Sequence, residues 1–368
     1  MSRIIQVNKI KIFKDPKKEI DFNTFQIINL IKKGSIKKIL IIKWGGMGDV
    51  IQSTAVINDI LNAFTDAEVD LNTSPLMNIF FANEKRLNKI WGFKFLKGFK
   101  NISSCYKWIK KVKSENYDLI IDLQTNDRSR ILLSFLRVMF FYPKFCVGNH
   151  FVFPYSIKSK NSYSLSQPFF RLQRTIEMIG IRSKSNFPMI KIPKDSNKKI
   201  HNLLKSYGVN KDFIIFIPGS SKGNKLKRWG VENFTELAEL YIRKKFQIIL
   251  VGGPDDITDC IKIKKNKKNI HNFCNLVNLV NLIPLYEKAK IIIANDTGPT
   301  HLAACTTTPI IQITGPTDPY KVKPFGEKIL SIQSDIDCKN CYKKTCSHHS
   351  CMLGIKPEYI YKISLNYL

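Results

Sequence analysis

The chain has 368 residues, of which 44% are hydrophobic and 11% aromatic, which is enough apolar material for two domains and excludes a disordered chain. Lysine and arginine number 59 against 29 aspartates and glutamates, and the resulting charge of +30 favours an acidic partner such as a phosphorylated substrate or an anionic membrane surface. Only ten of the basic residues are arginine, the better reader of bases, so no specific nucleic-acid partner is expected.

The N-terminal residues 1–36 are basic and precede the first predicted strand, and we interpret them as an extension of unassigned role. They contain no apolar segment typical of a signal peptide. The longest apolar run, residues 131–142, is interrupted by Arg137 and falls short of the roughly 18–20 residues that span a bilayer. We therefore expect a cytoplasmic protein. The run itself has two interpretations, a buried helix with a strand edge or an apolar surface facing the inner membrane.

Short runs of branched aliphatic residues alternate with helical patterns along the chain. They are apolar throughout, which is typical of parallel strands covered on both faces. Helices are predicted between them, for example at 231–245 and 298–305. This alternation predicts an α/β fold with parallel sheets. The predicted strands are residues 38–43, 68–73, 117–123, 213–218, 246–253, 289–296 and 308–315.

The strand–helix pattern occurs twice, on either side of a polar stretch with two prolines at 182–199. We therefore predict two doubly wound, Rossmann-like domains that face each other across a cleft at the carboxyl ends of their strands. The predicted domains are residues 37–184 and 185–345. Residues 346–368 are predicted to form a tail and helix that pack back toward the first domain.

The first predicted strand is followed by "KWGGMGD", in which Gly45, Gly46 and Gly48 precede Asp49 at the start of a predicted helix. The loop has neither the Gly-Lys-Ser/Thr of a P-loop nor the Gly-x-Gly-x-x-Gly of dinucleotide-binding proteins. Its glycines permit positive φ angles and close approach of the backbone. Asp49 has two interpretations, a cap of the helix or an ionised carboxylate that accepts a proton from a hydroxyl.

Two loops in the second half have the composition of phosphate-binding loops, with small hydroxyls, basic side chains and helix N-termini. The first follows the strand at 213–218 and carries Ser220, Ser221, Lys222, Lys225, Lys227 and Arg228. The second follows the strand at 289–296 and carries Asp296, Thr297, Gly298 and His301. Both loops are predicted to lie in the same domain.

Together these motifs resemble glycosyltransferase family 9, the ADP-heptose:lipopolysaccharide heptosyltransferases. The similar stretches are "KILIIKWGGMGDVIQSTAVI", "PGSSKGNKLKRW", "NDTGPTHLAA" and "GPTDP", and the resemblance extends over residues 39–357. It implies the GT-B fold, with the acceptor bound by residues 37–184 and the nucleotide sugar by residues 185–345. It further implies inverting transfer of a heptose from ADP-heptose to the lipopolysaccharide inner core, with no metal or other cofactor required for catalysis.

The resemblance also assigns roles. Asp49 matches the residue proposed in the family as general base, and Asp256 in "GGPDD" falls where the family has a ribose-facing carboxylate, which is usually Glu. Residues 122–130 resemble an acceptor-domain segment, but their Thr-Asn-Asp departs from the common glycine, so we assign no acceptor contact there. The expected donor-binding residues are Ser220, Ser221, Lys227, Asp256, Asp296, Thr297, Gly298 and His301. The expected acceptor is a lipid-linked acidic saccharide, which implies peripheral contact with the membrane.

Four of the nine cysteines cluster near the C-terminus: Cys338, Cys341, Cys346 and Cys351. We interpret them as a staple for folding, made either by a structural zinc ion or by packed thiols. Two alternatives to the main functional hypothesis stay open at this point. One is a glycosyltransferase of the same fold that uses another nucleotide sugar. The other is a non-catalytic protein that binds a nucleotide sugar or a polyanion.

Overall fold

The structure is a computed structural model that describes residues 22–96, 99–159, 167–221 and 223–368. Most of the predicted N-terminal extension and Lys222 therefore lie outside the described residues. The chain divides into two compact units between Lys191 and Ile192. In the described ranges, every helix is too short or too polar to cross a membrane.

The first unit is an α/β layer structure around one parallel sheet. Its strands are β1 (Lys38–Lys43), β2 (Glu68–Thr73), β3 (Ile90–Gly92), β4 (Leu119–Asp122), β5 (Phe145–Gly148) and β6 (Ile157–Lys158). Its helices are α1 (Phe22–Lys32), α2 (Met47–Ala63), α3 (Phe99–Ser114), α4 (Asp127–Phe140) and α5 (Pro168–Glu177). The strand order is β3-β2-β1-β4-β5-β6.

The core of the first unit forms because its central strands are apolar on both faces. Residues 39–42 of β1 are fully buried. Helices α3 and α4 pack on each other, as do α2 and α5. The indole nitrogens of Trp44 and Trp108 both donate to the Asn72 side-chain oxygen, at 2.8 and 2.7 Å, and so satisfy the polar atoms that the aromatic cluster buries.

The second unit repeats this architecture. Its strands are β7 (Phe213–Ile217), β8 (Gln247–Leu250), β9 (Ile270–Asn272), β10 (Ile292–Asn295), β11 (Ile310–Thr314) and β12 (Ile329–Gln333). Its helices are α6 (Ser196–Ser206), α7 (Val231–Arg243), α8 (Ile257–Lys264), α9 (Leu282–Glu287), α10 (Gly298–Ala303), α11 (Pro319–Val322), α12 (Ser350–Leu353) and α13 (Pro357–Ser364). The strand order is β12-β11-β10-β7-β8-β9, again all parallel.

Each sheet reverses its winding direction once, between β1 and β4 in the first unit and between β7 and β10 in the second. Ligands of doubly wound folds bind outside the carboxyl ends of the strands at such a point. The glycine loop follows β1, and the loop with Ser220, Ser221 and Lys227 follows β7. The predicted α/β class with two Rossmann-like units is confirmed, and the winding places both candidate loops at ligand-binding positions.

Part of the predicted linker belongs structurally to the first unit. The buried carboxylate of Asp59 on α2 accepts four hydrogen bonds, of 2.7–3.2 Å, from the main chain and hydroxyls of residues 183–185. The Met189 amide donates to the Thr54 hydroxyl at 2.9 Å. These bonds explain why the first unit extends to Lys191, whereas the sequence predicted a boundary after residue 184.

The C-terminal helix α13 packs on α7 in the second unit. The Tyr241 hydroxyl donates to the Ser364 hydroxyl at 2.6 Å, and the Trp229 indole donates to the Ile355 carbonyl at 2.8 Å. Ile360 is fully buried in the same core. The tail of residues 346–368, which was predicted to return toward the first domain, thus contributes to the core of the second unit.

Candidate functional site

Asp49 lies in the first turn of α2, directly after the glycine loop. Gly46 is the residue that caps this helix, and no side chain caps it. The Asp49 side chain is exposed, and within the described ranges its carboxylate has no hydrogen bond or salt bridge. The capping interpretation of Asp49 is therefore wrong, because a cap would hold the carboxylate on the backbone. The carboxylate is free to accept a proton.

The glycine loop, with Gly45, Gly46 and Gly48, lies directly beside this carboxylate. Gly45 has a φ of +122°, which favours glycine, and a Cβ placed on it would lie 3.3 Å from Oδ2 of Asp49. Gly46 precedes α2 in extended conformation, and Gly48 lies within the first turn of the helix. A side chain at residue 45 would therefore crowd the Asp49 carboxylate as well as strain the loop.

Two cationic side chains line the same small cavity as Asp49, which has a volume of about 50 Å³. Lys43 ends β1 and is buried, and its ammonium donates to the Leu123 carbonyl at 3.3 Å. Burial lowers the pKa of Lys43, an effect that the carboxylates of Asp49 and Asp122 oppose. Arg171 on α5 is exposed, and its guanidinium has no acceptor in the described part of the chain. The positive charges of these two side chains make the cavity suited to an acidic group.

Gln124, in the loop after β4, is a further polar lining residue of this cavity. Its side-chain oxygen is buried and has no hydrogen-bond partner among the described residues, so it offers an acceptor to a ligand. The loop is held by Asp122, whose carboxylate accepts the Tyr155 hydroxyl at 2.6 Å and the Gln124 amide at 2.9 Å. The sequence analysis did not assign Lys43, Gln124 or Arg171 to a site. Lys43 and Gln124 lie at the carboxyl ends of β1 and β4, where ligands of this fold bind, and that position was the available signal for them.

In the second unit a larger cavity, of about 240 Å³, opens beside the loop after β7. Three segments line it: the loop after β7, the loop after β11 with the end of α11, and the cysteine-rich segment of residues 338–351. The lining residues are Asn224, Leu226, Lys227, Pro316, Thr317, Val322, Tyr342, Lys343 and Lys344. Three lysines in one cavity favour an anionic ligand.

Lys227 and Asp296, both predicted donor-binding residues, are in direct contact. The Lys227 ammonium lies 2.6 Å from Oδ2 of Asp296, which also accepts the Thr317 hydroxyl at 2.9 Å. Thr297 caps α10 with its backbone, Gly298 is the first residue of that helix, and His301 is buried in it. The structure therefore brings the loop after β7 and the loop after β10 together through one salt bridge.

Ser220 and Asp256 support the loop in this structure. The buried Ser220 hydroxyl donates to the Asn224 carbonyl at 2.9 Å and accepts the Arg228 Nε at 3.2 Å. Asp256 accepts Arg228 at 2.7 Å through one oxygen and the Gly253 amide at 2.9 Å through the other. Burial raises the pKa of Asp256, and these hydrogen bonds oppose the rise.

Close packing explains why the residue facing Asp256 is glycine. A Cβ placed on Gly219 would lie 2.1 Å from Cγ of Asp256, closer than any real contact. The carboxylate therefore lies directly on the backbone of the loop after β7. Ser221, by contrast, is exposed at the loop surface, and its hydroxyl accepts the Asn224 side chain at 2.6 Å.

The four clustered cysteines are all free thiols. Burial and the nearby charges of the other three thiols raise the pKa of Cys351 to about 11. The His349 amide donates to the Cys346 sulfur at 3.3 Å. Across the described ranges, no group of three or more Cys, His, Asp or Glu side chains has a metal-binding arrangement. The four thiols therefore lie near one another, close enough for the other three to affect the pKa of Cys351.

The cysteine-rich segment is fastened to the cavity that it lines. The Tyr342 amide donates to the Pro316 carbonyl at 2.9 Å, and the Lys344 ammonium donates to the Asn224 side chain at 2.5 Å. His349 hydrogen-bonds the Leu226 carbonyl at 2.7 Å. The segment therefore forms one wall of the cavity, a location that its cysteine spacing alone did not indicate.

Comparisons with known proteins agree with this architecture. The family model described as glycosyltransferase family 9 (heptosyltransferase) matches residues 105–352. Lipooligosaccharide heptosyltransferase 2 of Campylobacter jejuni is 26% identical over 332 residues, covering 88% of this chain and 95% of the relative. Among solved structures, a family 9 glycosyl transferase from Veillonella parvula matches with a TM-score of 0.75 and 19% identity, over 90% of this chain and 97% of that one.

A second solved structure, the ADP-heptose lps heptosyltransferase II of Escherichia coli, matches with a TM-score of 0.68 and 18% identity. The match covers 89% of this chain and 97% of the other. The likeness extends over both units, and the GT-B class predicted from the sequence is confirmed.

Proposed function

This chain belongs to glycosyltransferase family 9, the heptosyltransferase family, and we propose that it transfers a heptose from ADP-heptose to the inner core of lipopolysaccharide. The names of its relatives support the sugar and the acceptor, since they are lipopolysaccharide or lipooligosaccharide heptosyltransferases. The name of the similar Escherichia coli structure supports ADP-heptose as the donor. The observation that carries the chemical proposal is the Asp49 carboxylate beside the winding reversal of the first sheet, which neither caps α2 nor makes a hydrogen bond or salt bridge with any described residue.

In the proposed reaction Asp49 is the general base. Its carboxylate takes the proton of an acceptor hydroxyl while the hydroxyl oxygen attacks the anomeric carbon of the heptose. The new C–O bond forms on the face opposite the departing diphosphate, whose oxygen keeps the electron pair of the bond that breaks. A single displacement of this kind inverts the anomeric centre and requires one base.

The departing ADP gains negative charge, and the lysine-lined cavity of the second unit is suited to stabilise it. Lys227 is the central residue of this proposal, because it lines the cavity and its salt bridge to Asp296 holds the ammonium in position. The Ser221 hydroxyl and the Thr297–Gly298 start of α10 are further proposed contacts of the diphosphate. These fixed donors supply charge stabilisation that other glycosyltransferases obtain from a metal ion, so turnover is expected without added metal.

The cavity beside Asp49 is proposed to bind the acidic sugar of the acceptor. Lys43 and Arg171 supply positive charge there, and Gln124 supplies for a sugar hydroxyl an oxygen that has no partner among the residues the structure describes. Because such an acceptor carries lipid chains, the protein is proposed to act at the inner face of the cytoplasmic membrane. The excess of basic residues favours the approach to that anionic surface.

The test is acceptor-dependent release of ADP from ADP-heptose, measured with a deep-rough lipopolysaccharide acceptor in the presence of EDTA. Asp49→Asn is expected to lower kcat by about a thousandfold, because it removes the base, and to leave ADP binding unchanged. Asp66→Asn is the matched control, since Asp66 is also exposed and follows the other end of α2. Its activity is expected to equal that of wild type.

A different result would contradict each part of the proposal. Wild-type protein that binds ADP without releasing it from ADP-heptose contradicts the proposed sugar or acceptor. Activity of Asp49→Asn within tenfold of wild type contradicts the assignment of the base. Activity that EDTA abolishes and zinc or magnesium restores contradicts turnover without metal.

A further inference from the structure

Exposed apolar side chains are concentrated on one part of the first unit. Ten of the 25 exposed large apolar side chains of the described residues lie between residues 102 and 153. On α4 they recur at Ile131, Phe135, Val138 and Met139, which is the spacing of one helix face. Phe141, which follows the helix, is 91% exposed. We call these five residues the apolar face of α4.

This face is not the surface by which α4 packs on its own sheet. Leu132, Leu133 and Leu136 occupy an adjoining side of the helix and are buried in the core of the first unit. Residues 131–142, interpreted from the sequence as a buried helix with a strand edge or as an apolar surface, thus form a helix that is buried on one side and exposed on another. Soluble proteins rarely leave a contiguous apolar patch uncovered unless it binds something.

Helix α3 runs beside α4 and extends the same surface. The Arg128 guanidinium, in the first turn of α4, lies 5.3 Å from the Phe95 ring just before α3. At the other end, the Lys113 ammonium lies 3.8 Å from the Phe140 ring. The two helices therefore run parallel, with their N-terminal ends near each other and their C-terminal ends near each other. Ile102 and Tyr106, each 65% exposed, add apolar side chains on α3.

The border of this surface is basic. Exposed lysines on α3 follow Tyr106 along the helix, and the sequence of α3 contains no aspartate or glutamate. These lysines are Lys107, Lys110 and Lys113, whereas the ammonium of Lys111 lies 4.1 Å from the Trp91 ring of β3. Apolar side chains surrounded by lysine are the combination by which a protein surface binds an anionic bilayer, since the apolar groups enter the interface and the lysines meet the headgroups.

We propose that the apolar face of α4, with the lysines of α3, docks on the surface of an anionic lipid bilayer. The inference rests on the proposed function, in which the acceptor is lipid-linked. The first unit also contains the cavity of Asp49, and α4 begins two residues after Thr125, which lines that cavity. The face continues from there along α4 to Phe141, so docking at α4 brings the first unit, with its cavity, to the source of the acceptor.

The experiment is co-sedimentation of the full-length protein with vesicles of phosphatidylcholine containing roughly one-third phosphatidylglycerol, compared with phosphatidylcholine alone. We expect wild type to bind the anionic vesicles at least about tenfold more tightly, with affinity falling as salt increases. The double variant Phe135→Ser/Phe141→Ser is expected to weaken this binding about tenfold or more. Lys110→Glu/Lys113→Glu is expected to remove the preference for anionic vesicles.

The matched control is Ile261→Ser/Leu365→Ser, which removes two similarly exposed apolar side chains from the second unit. It is expected to bind vesicles as wild type does. Equal binding by the Phe135→Ser/Phe141→Ser variant, or no binding of anionic vesicles by wild type, overturns the proposal. A wild-type dimer that this variant converts to monomer, without vesicle binding, also overturns it and assigns the face to a second copy of the chain.

A second assay separates this surface from the reaction. Heptose transfer to a deacylated, water-soluble acceptor is expected to be unchanged in Phe135→Ser/Phe141→Ser, whereas transfer to a vesicle-embedded acceptor falls about tenfold. Equal loss on both acceptors overturns the docking role. If wild type transfers to neither acceptor but still binds anionic vesicles, the proposed reaction fails and the docking surface stands.

Discussion

At the scale of single residues, the cavity of the first unit is characterised by an exposed carboxylate, Asp49, close to a buried amine, Lys43. Asp49 has no partner among the described residues, while Lys43 is buried close enough for their charges to interact. A buried lysine loses the proton more readily than a solvated one, since burial penalises the charged form. Its positive charge beside Asp49 is therefore sensitive to alkaline pH.

This sensitivity leads to a prediction for the pH dependence of turnover. Because the pKa of Lys43 lies below its ordinary value of 10.5, kcat/KM is expected to fall on the alkaline side as pH rises through that lowered pKa. Lys43→Arg keeps the charge to higher pH, so the fall is expected to move upward or disappear. Lys43→Met is expected to lower kcat/KM about tenfold at neutral pH. Steady-state rates from pH 6 to pH 10 measure all three.

Lys37→Met is the control for this series, because Lys37 is exposed and precedes β1 at the opposite end of the strand. Its pH profile is expected to match that of wild type. An alkaline fall that stays in place in Lys43→Arg assigns the titration to another group. Unchanged kcat/KM in Lys43→Met shows that the lysine serves packing alone.

At the scale of elements, the cysteine-rich segment links the end of the chain to the lysine-lined cavity. Its Lys343 is exposed at the cavity, close enough to Cys346 for their charges to interact, and makes no hydrogen bond or ion pair among the described residues, whereas Lys344 is held by Asn224. If the cavity receives a diphosphate, the ammonium of Lys343 is free to approach it. The segment then contributes binding as well as folding.

Lys343→Ala is accordingly expected to raise the Kd for ADP about threefold, a modest effect because solvent screens an exposed charge. Lys339→Ala, in the same segment but paired with Asp335, is the matched control and is expected to bind ADP as wild type does. Isothermal titration calorimetry measures both. Equal Kd values for the two variants would remove Lys343 from the proposed donor site.

The elements also show how far the sequence alone determines the architecture. Long apolar strands such as β1, β7 and β10 were predicted because they are buried on both faces, and the loops at their carboxyl ends followed from the parallel order. The short edge strands β3, β6 and β9 were not predicted, since three or fewer residues carry too little periodicity. The four residues of β5 and the five residues of β12 were not predicted either. The interpretation of Asp49 as a cap failed because Gly46 adopts the capping conformation.

Other parts of the site depend on tertiary contacts that no local pattern contains. Arg171 reaches the cavity of Asp49 from α5, more than a hundred residues away in sequence. The cysteine-rich segment reaches Lys227 in the same way. Asp59 belongs to no motif in the sequence of α2, yet it attaches residues 183–185 of the linker to the first unit through four hydrogen bonds.

At the scale of the whole molecule, the net charge of +30 lowers the stability of the folded state. Like charges repel in the folded state, and salt screens that repulsion. The Tm is therefore expected to rise by several degrees between roughly 20 and 300 mM NaCl, as measured by differential scanning calorimetry. A Tm that falls with salt would show that the salt bridges contribute more to stability than the repulsion costs.

The contact of Gly219 with Asp256 also limits how the whole sequence can change. Because a methyl group at residue 219 has no room while Asp256 is present, Gly219→Ala is damaging on its own. Loss of the carboxylate at residue 256 opens that room and at the same time leaves Arg228 without one of its partners. Each substitution is acceptable only in a background that already contains other changes. Evolution at these positions is therefore epistatic, and the order in which mutations arrive decides which descendants of this chain still fold.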